Sequence, residues 1–540
     1  MAGRSTIRGS ARLPDPAPKF PLSGKGAQFS RLPGPARLLL VAGALLALIC
    51  LFFAEENWRG RRAWEICRGE LKAKGVELEW QKFVPAPVPN EQNFAETPFL
   101  APLFDFNPKP RETGLGIWRD KPGHDRAAEF GAALLPSNNQ GQIPSPQVAG
   151  KMTDLGEVCS LLQSQGSRAA GLKSAFATRA EAARSVLTAL DDYNPVLNEL
   201  RGASRRPHSR FNIDYEAEDP ISILLPHYLV LHRICRVLEV RASAELALQK
   251  TEAAFEALQL MLYLAGSTRG EPFVMSVISR SSLLKRGEQI IWEGLASRRW
   301  TEPQLKELER ELKSQLVLQD LEQSLMAERA AFGEKAFRYI RSHKNALRSW
   351  IASSDDAGGV MYLLAGPSGW FFQEQVSYQE LFGARVLAGF EASRGRVHPH
   401  VIDENQKALE NELQHSAFWQ HRGFSKLMLG QITKSIQRCA IEQNRVDQAL
   451  IACALERYRV AHGSFPETLE ALEPTLSGPL PLDDCTGRPQ KYRLLPNGRF
   501  VLYGLGWNES DDGGVEAMKQ DGADKDPEKG DWVWPQYTEP

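Results

Sequence analysis

The chain has no surplus of either charge, with 65 Lys and Arg against 66 Asp and Glu over 540 residues and a formal net charge of -1. A protein-wide basic surface of the kind that holds nucleic acid is therefore absent, and no nucleic-acid partner is expected. Catalytic signatures are as scarce. No phosphate-binding loop or dinucleotide fingerprint stands in a strand-to-helix setting. Gly366-Pro367-Ser368-Gly369 approaches a nucleophile elbow, but Trp370 occupies the position that needs a second glycine. His398-Pro399-His400, followed by Asp403 and Glu404, offers metal-ligand residue types, with His415 and His421 further on. The intervening proline keeps the two histidines from sharing a helix face as zinc ligands do, so this stretch reads as a solvated loop. No catalytic residue is assigned, and the chain is not expected to be an enzyme.

Cysteine is sparse too: seven residues, dispersed and without CxxC spacing. A disulfide is permitted outside the cytoplasm, but most of these cysteines sit at apolar helical positions and read as buried free thiols. Cys485, on a loop, is the one expected to be open to oxidation.

What is present is a long chain, 42% hydrophobic and 24% charged, large enough to bury a core and to hold two or more domains. Residues 1–37 carry Arg4, Arg8, Arg12, Lys19, Lys25, Arg31 and Arg37 against Asp15 alone, amid many prolines. They read as a disordered cytoplasmic tail whose charge sets membrane topology. Residues 38–54 form an uncharged apolar run of about 17 residues, enough for a single short transmembrane helix. Lacking small residues at cleavage spacing, it reads as an uncleaved anchor rather than a signal peptide. The sequence thus predicts a single-pass protein of the bacterial inner membrane, N-terminus in the cytoplasm and bulk periplasmic.

Residues 55–150 comprise a juxtamembrane helix and a Pro-rich segment, expected to lie extended across the helical domain with Phe99, Leu100 and Phe104 as anchors. Residues 151–430 are patterned as consecutive helical hairpins, an irregular bundle or solenoid without a strict 34-residue period. Thr301 with Gln304 forms a capping box, and Val274 opens a helix reaching Leu295. The Gly-interrupted apolar stretch from Gly358 to Phe372 reads as a buried connection, since it is too short and broken to span a membrane.

Residues 431–540 carry the most specific pattern. Ile432, Ile436, Cys439, Val446, Leu450 and Cys453 make one apolar helix face ending at His462-Gly463, with Arg457 on the solvent side. A short helix from Pro466 to Leu472, a turn-rich loop, and a hairpin of Gln490–Leu495 with Arg499–Leu505 across Asn497-Gly498 follow. The fold class is mainly α with a small α+β C-terminal module.

The runs Ala454–Arg459, His462–Pro466, Pro481-Leu482-Asp483, Thr486-Gly487, Tyr492-Arg493, Leu502–Gly506 and Asp512-Gly513-Gly514 together resemble the C-terminal globular part of the type II secretion major pseudopilin. The resemblance implies a long helix on a small antiparallel sheet and a calcium-binding acidic loop. Here Asn508, Asp511, Asp512 and Asp531 would supply the oxygens. The sequence departs from the family in several places. Its membrane segment is separated from Ile432, Gly504 stands where a serine is usual, and Asn508 and Glu509 replace an aspartate and a glycine. Together these features point to a membrane-anchored extracytoplasmic binding or scaffold protein with protein partners in the cell envelope. The alternatives are an extracytoplasmic hydrolase with a site in the helical domain and a secretion-system accessory component.

Overall fold

The structure, a computed structural model, describes residues 34–107, 117–135, 150–164, 176–352, 362–415, 420–429, 432–474, 476, 478–519 and 525–536. Most of the basic tail, Gly358–Met361, Asp521 and Asp524 lie outside the described residues. The protein is mainly helical, with a few small antiparallel sheets near the C-terminus and an apolar helix at the N-terminus.

That first helix, α1 (Gly34–Ala73), runs without a break from the apolar stretch into a charged one. It is long and apolar enough to cross a membrane, and none of its most apolar window is buried within the protein, which supports membrane anchoring. Pro220–Ala247 passes the same test of length and composition, but 56% of its corresponding window is buried. Its main helix, α2 (His227–Ala247), packs between α3 (Thr251–Gly266) and α4 (Val274–Ala296) as a core helix.

The Pro-rich segment lies across these helices as expected. Phe99, Leu100, Leu103 and Phe104 are buried among the helices, and Asn93 fixes the path by donating to the Arg210 carbonyl at 2.7 Å and accepting from the Arg210 N–H at 2.8 Å. The segment also holds a helix that its composition does not predict, Lys121–Glu129, with Pro122 in its first turn and Asp120 accepting the Gly123 N–H at 2.9 Å.

Beyond α4 come α5 (Glu302–Lys313), opened by the predicted Thr301/Gln304 capping box, and α6 (Val317–Ala330). Another helix, α7 (Gly369–Leu381), packs along α1. The long α8 (Ile432–His462) ends at Gly463, whose φ of 86° closes it. It contacts α4, α5 and α6 as well as the terminal sheet, so the buried core runs continuously from Trp80 to Trp534.

The sheet is β1 (Lys491–Leu494), β2 (Phe500–Gly504) and β3 (Trp532–Val533), all antiparallel, with Tyr492 opposite Leu502 and Gly504 opposite Trp532. Leu502 faces the main core, while Val501, Tyr503 and Leu505 form a small cluster on the other side, the alternation a half-covered sheet requires. In the hairpin turn only Gly498 takes positive φ, at 74°. Asn497 instead accepts the Arg499 N–H at 3.0 Å with its side chain. The helix expected from Pro466 is a single 3₁₀ turn, Leu469–Leu472, because Ser464, Phe465 and Pro466 stay irregular and Thr468 is extended.

Candidate functional site

The sequence-nominated residues do not converge. Pro399 sits in the first turn of a helix, Pro399–Gln414, so the histidine stretch is a helix start rather than a loop. His400 Nδ1 meets Glu509 at 2.9 Å, Asp403 accepts the Trp507 indole N–H at 2.9 Å, and His398 lies 3.7 Å from Glu391. His421 lies elsewhere, between Trp370 and Tyr362, where burial lowers its pKa to about 4.

Asn508, Asp511, Asp512 and Asp531 lie around one loop. The Asn508 amide donates to Asp512 at 2.8 Å, and Asp511 accepts from Tyr503 at 3.0 Å and from the Gly513 N–H at 3.1 Å. Asp531 accepts the Gly514 N–H at 2.6 Å. These protein donors close the turn, and among the described residues no group of three or more His, Cys, Asp or Glu is arranged to hold a metal ion.

Gly366–Trp370 forms the joint onto the anchor. Asn57 on α1 accepts the Gly369 N–H at 2.7 Å and the Ser368 hydroxyl at 3.1 Å, capping α7. Glu56 accepts the Trp370 indole N–H at 3.0 Å. A Cβ on Gly60 would lie 2.1 Å from the Gly369 carbonyl oxygen, and one on Gly369 would lie 2.1 Å from that of Glu56. Only glycine at both positions lets the two backbones meet.

The seven cysteines are all free. Cys485 is 1% exposed, not open to oxidation, and burial together with the charges of Asp483 and Asp484 pushes its thiol well above the usual range. Its loop is folded inward by Asp483, which accepts the N–H groups of Cys485 at 3.1 Å, Thr486 at 2.7 Å and Leu505 at 2.8 Å. Gly504 belongs to this arrangement: a Cβ there would lie 2.5 Å from Asp483 Oδ2. A side chain at this position has no room.

Beside this loop opens a cavity of about 1200 Å³, between α5, the start of α6, α8, the Arg394–Arg396 turn and residues 474, 476 and 478–487. Leu316 and Leu482, both substantially exposed, and Leu450 and Pro481 supply apolar wall. Five of the cations lining it each have an acceptor, although Arg396 Nε has none among the described residues. Lys306 pairs with Glu302 at 3.0 Å, Arg310 with Glu307 and Glu311, and Arg394 with Glu391 at 3.4 Å. Arg457 makes two bonds to buried Glu309, at 2.9 and 2.6 Å, rather than facing solvent as the apolar stripe suggested. Arg396 donates to the Thr486 carbonyl at 3.1 Å.

Two carboxyls of the cavity are unmatched. Asp484 is 5% exposed, and its Oδ2 has no hydrogen-bond partner among the described residues. Asp447, half-buried on α8, is held by Gln443, whose amide donates to it at 3.2 Å while accepting the Val317 N–H at 2.7 Å. Among the described residues neither aspartate forms an ion pair. Burial raises Asp447 to about 7, and burial plus the Asp447 and Asp483 charges raises Asp484 well above the carboxylate range. Near neutral pH the two hold less than two full charges. The sequence marks Asp483–Gly487 only as a turn, and Asp447 falls within the helix stripe, 37 positions away; nothing in the spacing joins them. Compared with known proteins, the chain matches no family model, no curated protein and no solved structure.

Proposed function

We propose that the protein is a membrane-anchored binding protein whose recognition site is the cavity between α5, α8 and the loop of residues 478–487. The observation that carries this reading is the cavity itself. It is wide enough for a chain segment, walled by exposed leucines and prolines, and has unmatched polar groups in its floor. The C-terminal unit then serves as a docking element, in keeping with its pseudopilin resemblance. The bulk of the chain stands on the periplasmic side of the inner membrane, where protein components of the cell envelope are its partners. Calcium at Asn508, Asp511, Asp512 and Asp531 has no part in this reading.

Photo-crosslinking amino acids at Leu316 and Leu482, compared with exposed Met275 away from the cavity, test it in intact cells. A discrete adduct from both cavity positions and none from Met275 is the expected result. Equal labelling from all three, or none from any, overturns it. A second reading, hydrolysis with Asp447 and Asp484 as an acid–base pair, is favoured by the raised proton affinity of the two carboxyls.

A further inference from the structure

Resting on the reading of the cavity as a recognition site, we propose that Asp447 and Asp484 form a subsite for a cationic side chain, arginine or lysine, carried by an extended peptide segment of a partner. Three observations converge. Lys306, Arg310, Arg394, Arg396 and Arg457 already have a carboxylate or carbonyl each, so an anionic ligand would compete with bonds in place. The two aspartates, by contrast, have no cation among the described residues. Asp484 also presents an oxygen that is buried and unbonded, the costliest state for a polar atom.

A guanidinium entering the floor would give that oxygen a charge-assisted bond and bridge the two carboxyls with its planar fork. It would also let both ionise, because an adjacent positive charge offsets their mutual repulsion. The volume decides between a free amine and a peptide: about 1200 Å³ exceeds the usual range for a small-molecule pocket, and Leu316, Leu450, Pro481 and Leu482 offer apolar contacts to residues flanking the cation. Among the described residues no aromatic ring lines the cavity, so a stacked sugar finds no platform. The charged groups lining the cavity with the pair are Asp483 on the loop, Arg394 and Arg396 from the short hairpin, Arg457 on α8, and Lys306, Glu307, Glu309, Arg310 and Lys313 on α5.

The test uses the full chain in detergent micelles and three fluorescent hexapeptides, identical leucine- and proline-containing sequences with arginine, citrulline or glutamate at one central position. The arginine peptide should bind saturably, about tenfold or more tighter than its neutral citrulline isostere, and more tightly at pH 8 than at pH 5.5, because the pair must ionise. Asp484→Asn should abolish that preference in a protein that melts no lower than wild type, and Asp447→Asn is the second variant if the first misfolds. Equal binding of arginine and citrulline peptides overturns the cationic subsite while leaving the groove as a docking site. Preference for the glutamate peptide overturns it as well. Agmatine competing at the same concentration as the peptide overturns the peptide assignment. No saturable binding by any peptide, together with absent crosslinks at Leu316 and Leu482, removes both readings.

Discussion

The joint between α1 and α7 and the seam between α5 and α8 both fasten one large part of the protein to another, and they do so by opposite means. At the joint, two glycines let backbones touch, and Asn57 and Glu56 give the Gly369, Ser368 and Trp370 donors their acceptors. The seam carries the Arg457–Glu309 ion pair and opens into a cavity with an unpartnered carboxyl oxygen, Asp484 Oδ2. Close approach with full hydrogen bonding marks architecture. Polar groups left without partners beside open space mark a place where something else binds.

The seam should break most severely at its buried ion pair. Arg457→Asp leaves Glu309 buried and faces it with a second carboxylate, so destabilisation of about 3–5 kcal/mol is expected in thermal or denaturant melts. Arg310→Asp, at an exposed pair, should leave the melt nearly unchanged. Equal effects would mean that the Arg457–Glu309 contact does not hold the seam.

At the joint the weak point is steric. Gly60→Val drives a side chain into the Gly369 backbone, and a loss of about 3 kcal/mol follows if α1 and α7 cannot separate. Gly69→Ala, on the same helix with open space around it, should leave the melt unchanged or raise it slightly. Proteolysis supplies the second readout: Gly60→Val should expose the α1–α7 junction, and an unaltered digestion pattern would show that the contact is dispensable.

The difference between joint and seam explains what could be read from sequence. Periodicity reports which side of a helix is apolar, so the long helices, their Thr301 cap, the Gly463 stop and the terminal hairpin were legible. Gly366–Gly369 was visible as an interruption, but its partner Gly60 lies far upstream in an unremarkable Arg-rich stretch, so the joint itself was not. Arg457 falls on the polar side of the stripe and yet is nearly buried, because a second helix, α5, covers that side with Glu309. Asp447 and Asp484 are ordinary residues in their local settings, one in a helix and one in a turn. Their meaning comes only from being placed beside one cavity.

The loop that carries Asp484 gives a milder test. Gly504→Ala places a methyl against Asp483 Oδ2 and Asn444, and an overpacking cost of about 1–3 kcal/mol should appear, with the Asp483-capped loop loosened. Protection of the Cys485 thiol from alkylating reagents reports that loosening directly. A variant with wild-type stability and a fully protected Cys485 would show that the loop tolerates the extra atom.

The smallest expected effect concerns the sign of a pH dependence. Asp447 binds its proton more tightly in the folded protein, at about 7, than its ordinary value of 3.8. Its contribution to stability is therefore complete below about 3.8 and is lost as pH rises through about 7. Glu245, Glu328 and Glu374, raised by burial to about 6, 7 and 7, give the wild type a slope of the same sign, so only the difference between variant and wild type is informative. The asparagine of Asp447→Asn cannot ionise. That variant should consequently match or trail the wild type at pH 4, and exceed it by about 1 kcal/mol at pH 8 once solvent screening of a half-buried group is allowed for. At the joint, Asn57→Asp should show the opposite balance: its charge sits at the N-terminus of α7 and gains there as pH rises, although Glu56 is adjacent. A stability difference for Asp447→Asn that is flat between pH 4 and pH 8 would mean the carboxyl is already ionised and solvated at neutral pH. The seam would then hold no unmatched acid for a cation to meet.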